Sequence, residues 1–396
     1  MAEAAIQPAT ARVATTTHFR FDRNEPSGAF GDIGTDFPLI VGMILAAKLD
    51  PASTLVMFGL MQILTGVFYR MPMPAQPLKA MAVLVIAQKV SGDVLYGGGL
   101  AIGVAMLFLA VTGLIDVVAK VIPKVVVRGI QFGLGLQLAS LALKDYVPAE
   151  GVAGYAIAAA AFVVIIFLLG NRRFPPAPFV ILMGIVVALT FRVDHAALGS
   201  GIGLHAPVLH VPSGKDIWAG FLLLALPQIP LSLGNSILAT KQITRDLFPE
   251  KHLTVRKISF TYALMNLINP FFSGIPTCHG SGGMAGHYTF GGRTGGSVII
   301  YGLLYLVLGV FFAGSFEQVV YLFPKPILGT ILLFEAIALL ALARDMAHST
   351  AQLALVFAVG LLAVNLPYGY LVALVVGTVL TYLVDRGKAG LVEKLS

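Results

Sequence analysis

The chain is a succession of apolar stretches divided by short polar loops, most of them close to the roughly 20 residues a helix needs to cross hydrocarbon. The pattern predicts fourteen spans, at 29–47, 53–69, 77–90, 97–119, 124–143, 153–170, 178–193, 216–239, 256–273, 278–290, 296–315, 325–343, 350–365 and 368–384. Two of these, 77–90 and 278–290, are short. Each follows or overlaps a stretch too rich in Pro or Gly for regular helix, MPMPAQPLK at 71–79 and GIPTCHGSGG at 274–283. Lipid cannot satisfy bare N–H and C=O groups, so irregular backbone is tolerated at membrane depth only inside protein or beside a watery cavity. The short spans therefore read as half-helices entered from extended backbone at the edge of a cavity.

Composition agrees with a membrane chain. Hydrophobic residues make up 57% and charged residues 11%, with a mean hydropathy of +0.88, against about 25% charged residues in soluble domains. The first 28 residues hold Arg12, Arg20 and Arg23 but no apolar run, so no cleavable secretory signal is expected. The single cysteine, Cys278, rules out an internal disulfide and a cysteine-cluster metal site. The net charge of +7 is spread over loops and does not point to nucleic acid. With the N-terminus cytoplasmic, most of the 26 Lys and Arg fall on the inside, as the positive-inside rule expects, and the C-terminus is cytoplasmic too.

The two halves resemble each other. Gly113–Lys124 (GLIDVVAKVIPK) aligns with Gly314–Lys325 (GSFEQVVYLFPK), pairing Asp116 with Glu317 and Pro123 with Pro324, and at nearly the same offset Pro74 falls on Pro276. Seven spans per copy is odd, so the second copy lies upside down. Inverted repeats whose broken helices meet near the midplane are a transporter architecture. The expected fold is thus all-α, with half-helices as spans 3 and 10.

The half-helix N-termini, with unpaired N–H groups and about half a positive charge each, suit an anion. Pro77 fits the first helical position of one, with Gln76 at its mouth. In the other, Thr277 can cap, Gly280, Gly282 and Gly283 let backbone approach a ligand, and His279, Ser281 and the turn's N–H groups donate. Lys79 opposes the helix dipole, so it contacts a ligand, pairs with Asp32 or Asp36, or reaches the cytoplasmic surface. Asp32 and Asp36, at i and i+4 in the first span, are functional candidates if deep, since a carboxylate there costs on the order of 3 kcal/mol; the alternative is a shallow Asp32. Beside an anion they suggest proton coupling. In the eighth span Gln228, Ser232 and Asn235 form a polar stripe, for ligand or for interhelical hydrogen bonds.

FGDIGTDFPL (30–39), PMPAQPLK (72–79) and PTCHGSGGMAGHYTFGGRTG (276–295) resemble the signature segments of the molybdate transporter family, relatives of the SulP sulfate permeases. The resemblance implies secondary active uptake of molybdate, a tetrahedral dianion, by an elevator-type protein of the cell inner membrane. It places Gln76 and Thr277, Cys278, His279, Gly280 and Ser281 at the oxyanion, and Asp32, Thr35 and Lys79 in matching motif positions. It also implies a mobile core at 29–119 and 216–316 and an often dimeric scaffold at 120–195 and 317–386, between tails at 1–28 and 387–396. Unlike in typical sulfate permeases, no STAS domain is expected after the last span.

Enzyme readings fare poorly. Gly28-Ala29-Phe30-Gly31-Asp32 is not the Gly-x-Gly-Asp pattern of intramembrane aspartyl proteases, and HExxH and Walker motifs are absent, so neither a metal nor another cofactor is expected. A channel, a sulfate transporter and a nucleobase permease of the same fold remain as alternatives.

Overall fold

A computed structural model describes residues 19–115, 117, 121–168, 176–191, 201–316 and 323–395. Helix α1 (Asn24–Ala29) leads through a 3-10 turn (Phe30–Asp32) into α2 (Ile33–Ala47), and α3 (Pro51–Tyr69) follows. Then come strand β1 (Ala75–Pro77), α4 (Lys79–Gln88), α5 (Gly92–Thr112), α6 (Lys124–Leu141), α7 (Gly151–Leu168) and α8 (Pro176–Phe191). The second half holds α9 (Gly214–Leu247), α10 (Val255–Ile268), β2 (Thr277–His279), α11 (Ser281–Thr289), α12 (Gly295–Phe311), α13 (Lys325–Ala341), α14 (Thr350–Asn365) and α15 (Gly369–Leu395). Every predicted span contains a helix. Asp116 and Glu317, which carry part of the repeat match, lie outside the described residues.

Among the described residues, Pro51–Tyr69, Gly92–Thr112, Lys124–Leu168, Gly214–Leu247 and Lys325–Met346 are long and apolar enough to cross a bilayer; Asn24–Asp32 and Thr35–Ala47, bent by 46°, make a further span when taken together. Local chemistry sets many of the ends. Asp50 caps α3 by accepting from the Ser53 N–H at 2.7 Å, with Pro51 at the first helical position, and Arg70 closes the helix in the left-handed region at φ 51°. Ser91, Ser213, Thr254 and Thr294 cap α5, α9, α10 and α12 in the same way.

The tail boundary expected at residue 28 falls within folded structure. Glu25 is buried, and its carboxylate accepts from the N–H groups of Arg293, Thr294 and Ser297 at 2.9–3.1 Å, tying α1 to the start of α12. An anion at a helix N-terminus is favoured by the dipole and by the unpaired first-turn N–H groups. Likewise α15 continues to Leu395, through the expected C-terminal tail.

Packing pairs α3 with α12 and α5 with α10, while α6 packs on α13 and α14. Glycines permit the first contact: a Cβ on Gly59 would sit 2.6 Å from the Gly302 carbonyl oxygen, and one on Gly302 would meet the Gly59 oxygen. Between these helices β1 and β2 cross as an antiparallel ribbon, with Ala75 opposite His279, Gln76 opposite Cys278 and Pro77 opposite Thr277. The half-helices begin two residues beyond the strands, so Pro77 is a strand residue and not the first residue of α4, and Thr277 to His279 are strand and not helix. Pairing across the ribbon holds these residues extended.

A two-stranded ribbon buried in apolar surroundings leaves its outer edges bare. Two amide side chains cover them. Gln62 on α3 donates to the Ala75 carbonyl at 2.6 Å and accepts from the Ala75 N–H at 3.0 Å. Asn266 on α10 does the same for Thr277, at 2.6 Å and 3.0 Å. Each acts as a one-residue substitute for a neighbouring strand. Replacing Gln62 or Asn266 with Leu strands one N–H and one C=O, at about 1–3 kcal/mol for each buried group. Thermal unfolding in detergent is expected to show each variant markedly less stable than the parent, whereas Gly214→Ala, where a Cβ meets nothing within 4 Å, leaves the midpoint unchanged.

Candidate functional site

Alternation along the strands sorts the candidate residues into two faces. Gln76 and Cys278, directly opposed, share one face; Ala75, Pro77, Thr277 and His279 share the other. The second face is a packing face. His279 Nε2 meets the Thr261 hydroxyl at 2.7 Å, its ring stands edge-on to Tyr69 at 5.3 Å, and it is fully buried. The Thr277 hydroxyl accepts from Asn269 at 3.3 Å. Thr277 and His279, expected as cap and donor at the helix tip, are therefore turned away from it, and Gly280 occupies the N-cap.

On the first face the structure brings distant motifs together. Gln76 Nε2 donates to both carboxylate oxygens of Asp32, each at 2.6 Å, and Asp32 is buried at 4% exposure. The glycines of the second motif make room for this pair. A Cβ on Gly280 would collide with Gln76 Oε1, and one on Gly283 with Asp32 Oδ2. Gly31 and Gly286 pack backbone to backbone, which lets the Asp32 turn lie on α11. Cys278 is buried opposite Gln76. Half-buried Lys79 opens α4 and is close enough to act electrostatically on Cys278. One turn beyond Asp32, Asp36 is fully buried, and Thr35 beside it is half-buried.

The polar stripe of α9 divides between the two helix tips. Gln228 Oε1 accepts from the N–H groups of Ala80 and Met81 at 2.9 and 3.3 Å, and its Nε2 donates to Ser232, whose hydroxyl meets Tyr262 at 2.8 Å. Leu78, at the N-cap of α4, has no acceptor of its own, so Gln228 supplies one. Farther along, Asn235 Oδ1 accepts from the Ser281 hydroxyl at 3.3 Å at the other tip. A wide turn at Ser232–Leu238 unwinds α9 where Ser232 and Asn235 make their contacts, as often happens at functional sites, and another lies just before Gln228 at Phe221–Ala225.

The two tips consequently differ. That of α4 is closed by Gln228. That of α11 starts from Gly280, which has no side chain to cap with, and the first N–H groups of a helix have no partner within it. Gly282 is exposed and a Cβ there would meet nothing within 4 Å, the same is true of Gly234 on α9, and Ser281 and Asn235 are half-buried. The open tip thus joins the N–H groups of Ser281, Gly282 and Gly283, the Ser281 hydroxyl and the Asn235 amide, with Gln76 beneath. Such an arrangement can hold an anion without a covalent step. Gln62, Asn266 and Tyr262 were not singled out from the sequence, although a lone amide inside an apolar run, as in LMQIL and LMNLI, is a readable signal.

Comparison with known proteins bears on the same residues. The family described as "Molybdate transporter of MFS superfamily" matches residues 24–138 and 220–339, which include both motif regions. Molybdate transporter 1 of Arabidopsis thaliana is 33% identical over 386 residues, covering 85% of this chain and 83% of its own, and Molybdate transporter 2 of the same plant is 33% identical over 371 residues, covering 82% and 79%. Among solved structures, the transmembrane domain of the cyanobacterial bicarbonate transporter BicA aligns with a TM-score of 0.64 at 16% identity, covering 91% of this chain and 97% of that one. SLC26A9 aligns with a TM-score of 0.69 at 13% identity, covering 92% and 65%. These two likenesses concern the fold. The relatives are named as transporters and not as enzymes, and the family match with the 33% identity together show that this chain belongs to the molybdate transporter family.

Proposed function

We propose that the protein is a secondary active transporter that takes up molybdate, holding the tetrahedral oxyanion at the open tip of α11. The observation that carries this reading is the first turn at Ser281–Gly283, which Gly280 at the N-cap leaves without a side-chain acceptor and which is open at Gly282, set in a chain whose relatives are named molybdate transporters. A tip of this kind contributes about half a positive charge, and Lys79 adds a cation nearby. Sulfate is the second reading, since charge and shape differ little between the two oxyanions.

Fourteen spans in two inverted repeats of seven, with both termini cytoplasmic, suit the packing. The exchange of α3–α12 for α10–α5 and of Gln62–Ala75 for Asn266–Thr277 is what such a twofold relation produces. On this reading residues 29–119 and 216–316 form the core that moves, elevator-fashion, against a scaffold of 120–195 and 317–386, which pairs with that of a second copy. The half-helices sit in the moving part, so the site travels with its capping residues intact.

Asp32 couples transport to protons. A negative charge about 6 Å from a dianion opposes binding by roughly 5 kcal/mol at an effective dielectric near 20. Protonating Asp32 removes that repulsion and leaves Gln76 in place. Asp36, Lys79, Cys278, Tyr301 and Tyr305 are the other titratable groups around this pair.

Reconstituted into liposomes, the purified protein is expected to take up labelled molybdate with saturation and counterflow, blocked by tungstate, weakly by sulfate and not by uracil. Competition by uracil, or flux that never saturates, contradicts the assignment. Gly280→Ala displaces Gln76 and is expected to raise the molybdate KM at least tenfold, about 1.4 kcal/mol, in protein that still elutes as a folded peak. Uptake is expected to rise as external pH falls and to lose that dependence in Asp32→Asn; a variant with full activity and an unchanged pH profile sinks proton coupling through this residue.

A further inference from the structure

A second concave feature lies behind the ribbon, on the lipid-facing side of the helices that support it. Met61, Leu64, Phe68 and Tyr69 of α3 face Phe260 and Leu264 of α10 across a cleft of about 300 Å³. Leu64, Phe68, Phe260 and Leu264 are each about half exposed, so the cleft is open along its length. From Met61 to Tyr69 it runs eight residues of helix, about 12 Å at 1.5 Å per residue. That is close to the depth of one leaflet of a hydrocarbon core about 30 Å thick.

One end of the cleft is charged. The Lys257 ammonium stands 4.8 Å from the centre of the Phe68 ring and 5.4 Å from that of Tyr69, both of which line the cleft. Arg256 precedes it, Arg70 follows Tyr69, and all three cations are exposed. Deeper in, the polar atoms are already engaged: the Tyr69 hydroxyl meets Thr261 at 2.5 Å, and Thr261 meets His279. Thr65 also lines the cleft, its hydroxyl donating to the Gln62 carbonyl at 2.9 Å, and the rest of the lining is apolar. It offers a slot for a hydrocarbon chain and, at one mouth, the Lys257 ammonium, with Arg256 and Arg70 next in sequence to Lys257 and Tyr69.

We propose that this cleft is a binding site for an anionic phospholipid, one acyl chain lying between α3 and α10 and the phosphate on Lys257 with Arg70 and Arg256 beside it. The chain length the cleft accepts and the sign of charge at its mouth match one molecule. A zwitterionic lipid fills the slot but gains less from the cations, since it carries no net charge for them to attract. The site is separate from the open tip of α11, which lies across the ribbon.

Native mass spectrometry of the full chain, incubated with phosphatidylglycerol or phosphatidylcholine in detergent, tests it. The parent is expected to retain phosphatidylglycerol at least tenfold better than phosphatidylcholine. Lys257→Gln is expected to bring the two lipids level, and Leu264→Trp, which fills the slot from an exposed position, to lower retention of both. Glycerol phosphate, a headgroup without chains, is expected not to compete. Equal retention of the two lipids by the parent, or selectivity unchanged in both variants, overturns the proposal; competition by glycerol phosphate shows an ion site without a chain slot and overturns it equally.

Discussion

Two short strands crossing among apolar helices impose the condition that the rest of this structure meets. Peptide groups at that depth find no water, and leaving one unpaired costs several kcal/mol. The ribbon satisfies part of the requirement by its own pairing, and Gln62 and Asn266 satisfy much of the remainder from α3 and α10. Once those edges are closed, register follows, and register decides which side chains reach the helix tips. Gln76 faces Asp32 with Cys278 beside it, while Thr277 and His279 are committed to the support behind.

The same condition explains why the two tips are not equivalent. A helix start needs acceptors for its first N–H groups. Leu78 cannot provide one, so α9 sends Gln228 across to α4. At α11 the chain uses Gly280, whose missing side chain leaves room for Gln76 and leaves the first turn without a cap. On the reading proposed above, an anion is the partner of that turn. The reading of the sequence that gave the guest two equal tips was too symmetric, because the two halves diverge at the capping position.

Much of this was legible beforehand. Prolines and glycines at 71–79 and 274–283 marked broken helices, each predicted span holds a helix although α1 and the end of α15 fall in the expected tails, and Asp32, Gln76 and Gly280 were named from motifs far apart in the chain. What could not be read was orientation. Which face of a three-residue strand a histidine occupies turns on a one-residue choice of register, and nothing local to Thr277 or His279 encodes it. The bond from Gln228 to α4 spans 148 positions, and a stripe of polar residues gives only the face of its own helix. Gln62 and Asn266 stood in plain view as lone amides in apolar runs, yet their use depends on a ribbon edge that exists only after folding.

The structure of the protein soaked with tungstate, located by its anomalous scattering, tests the central claim most directly. The account predicts one strong peak within hydrogen-bond distance of the Ser281–Gly283 amides, with Gln228 still on α4 and Gln76 still on Asp32. A peak on α4 with Gln228 displaced, or beside His279 behind the ribbon, would contradict it.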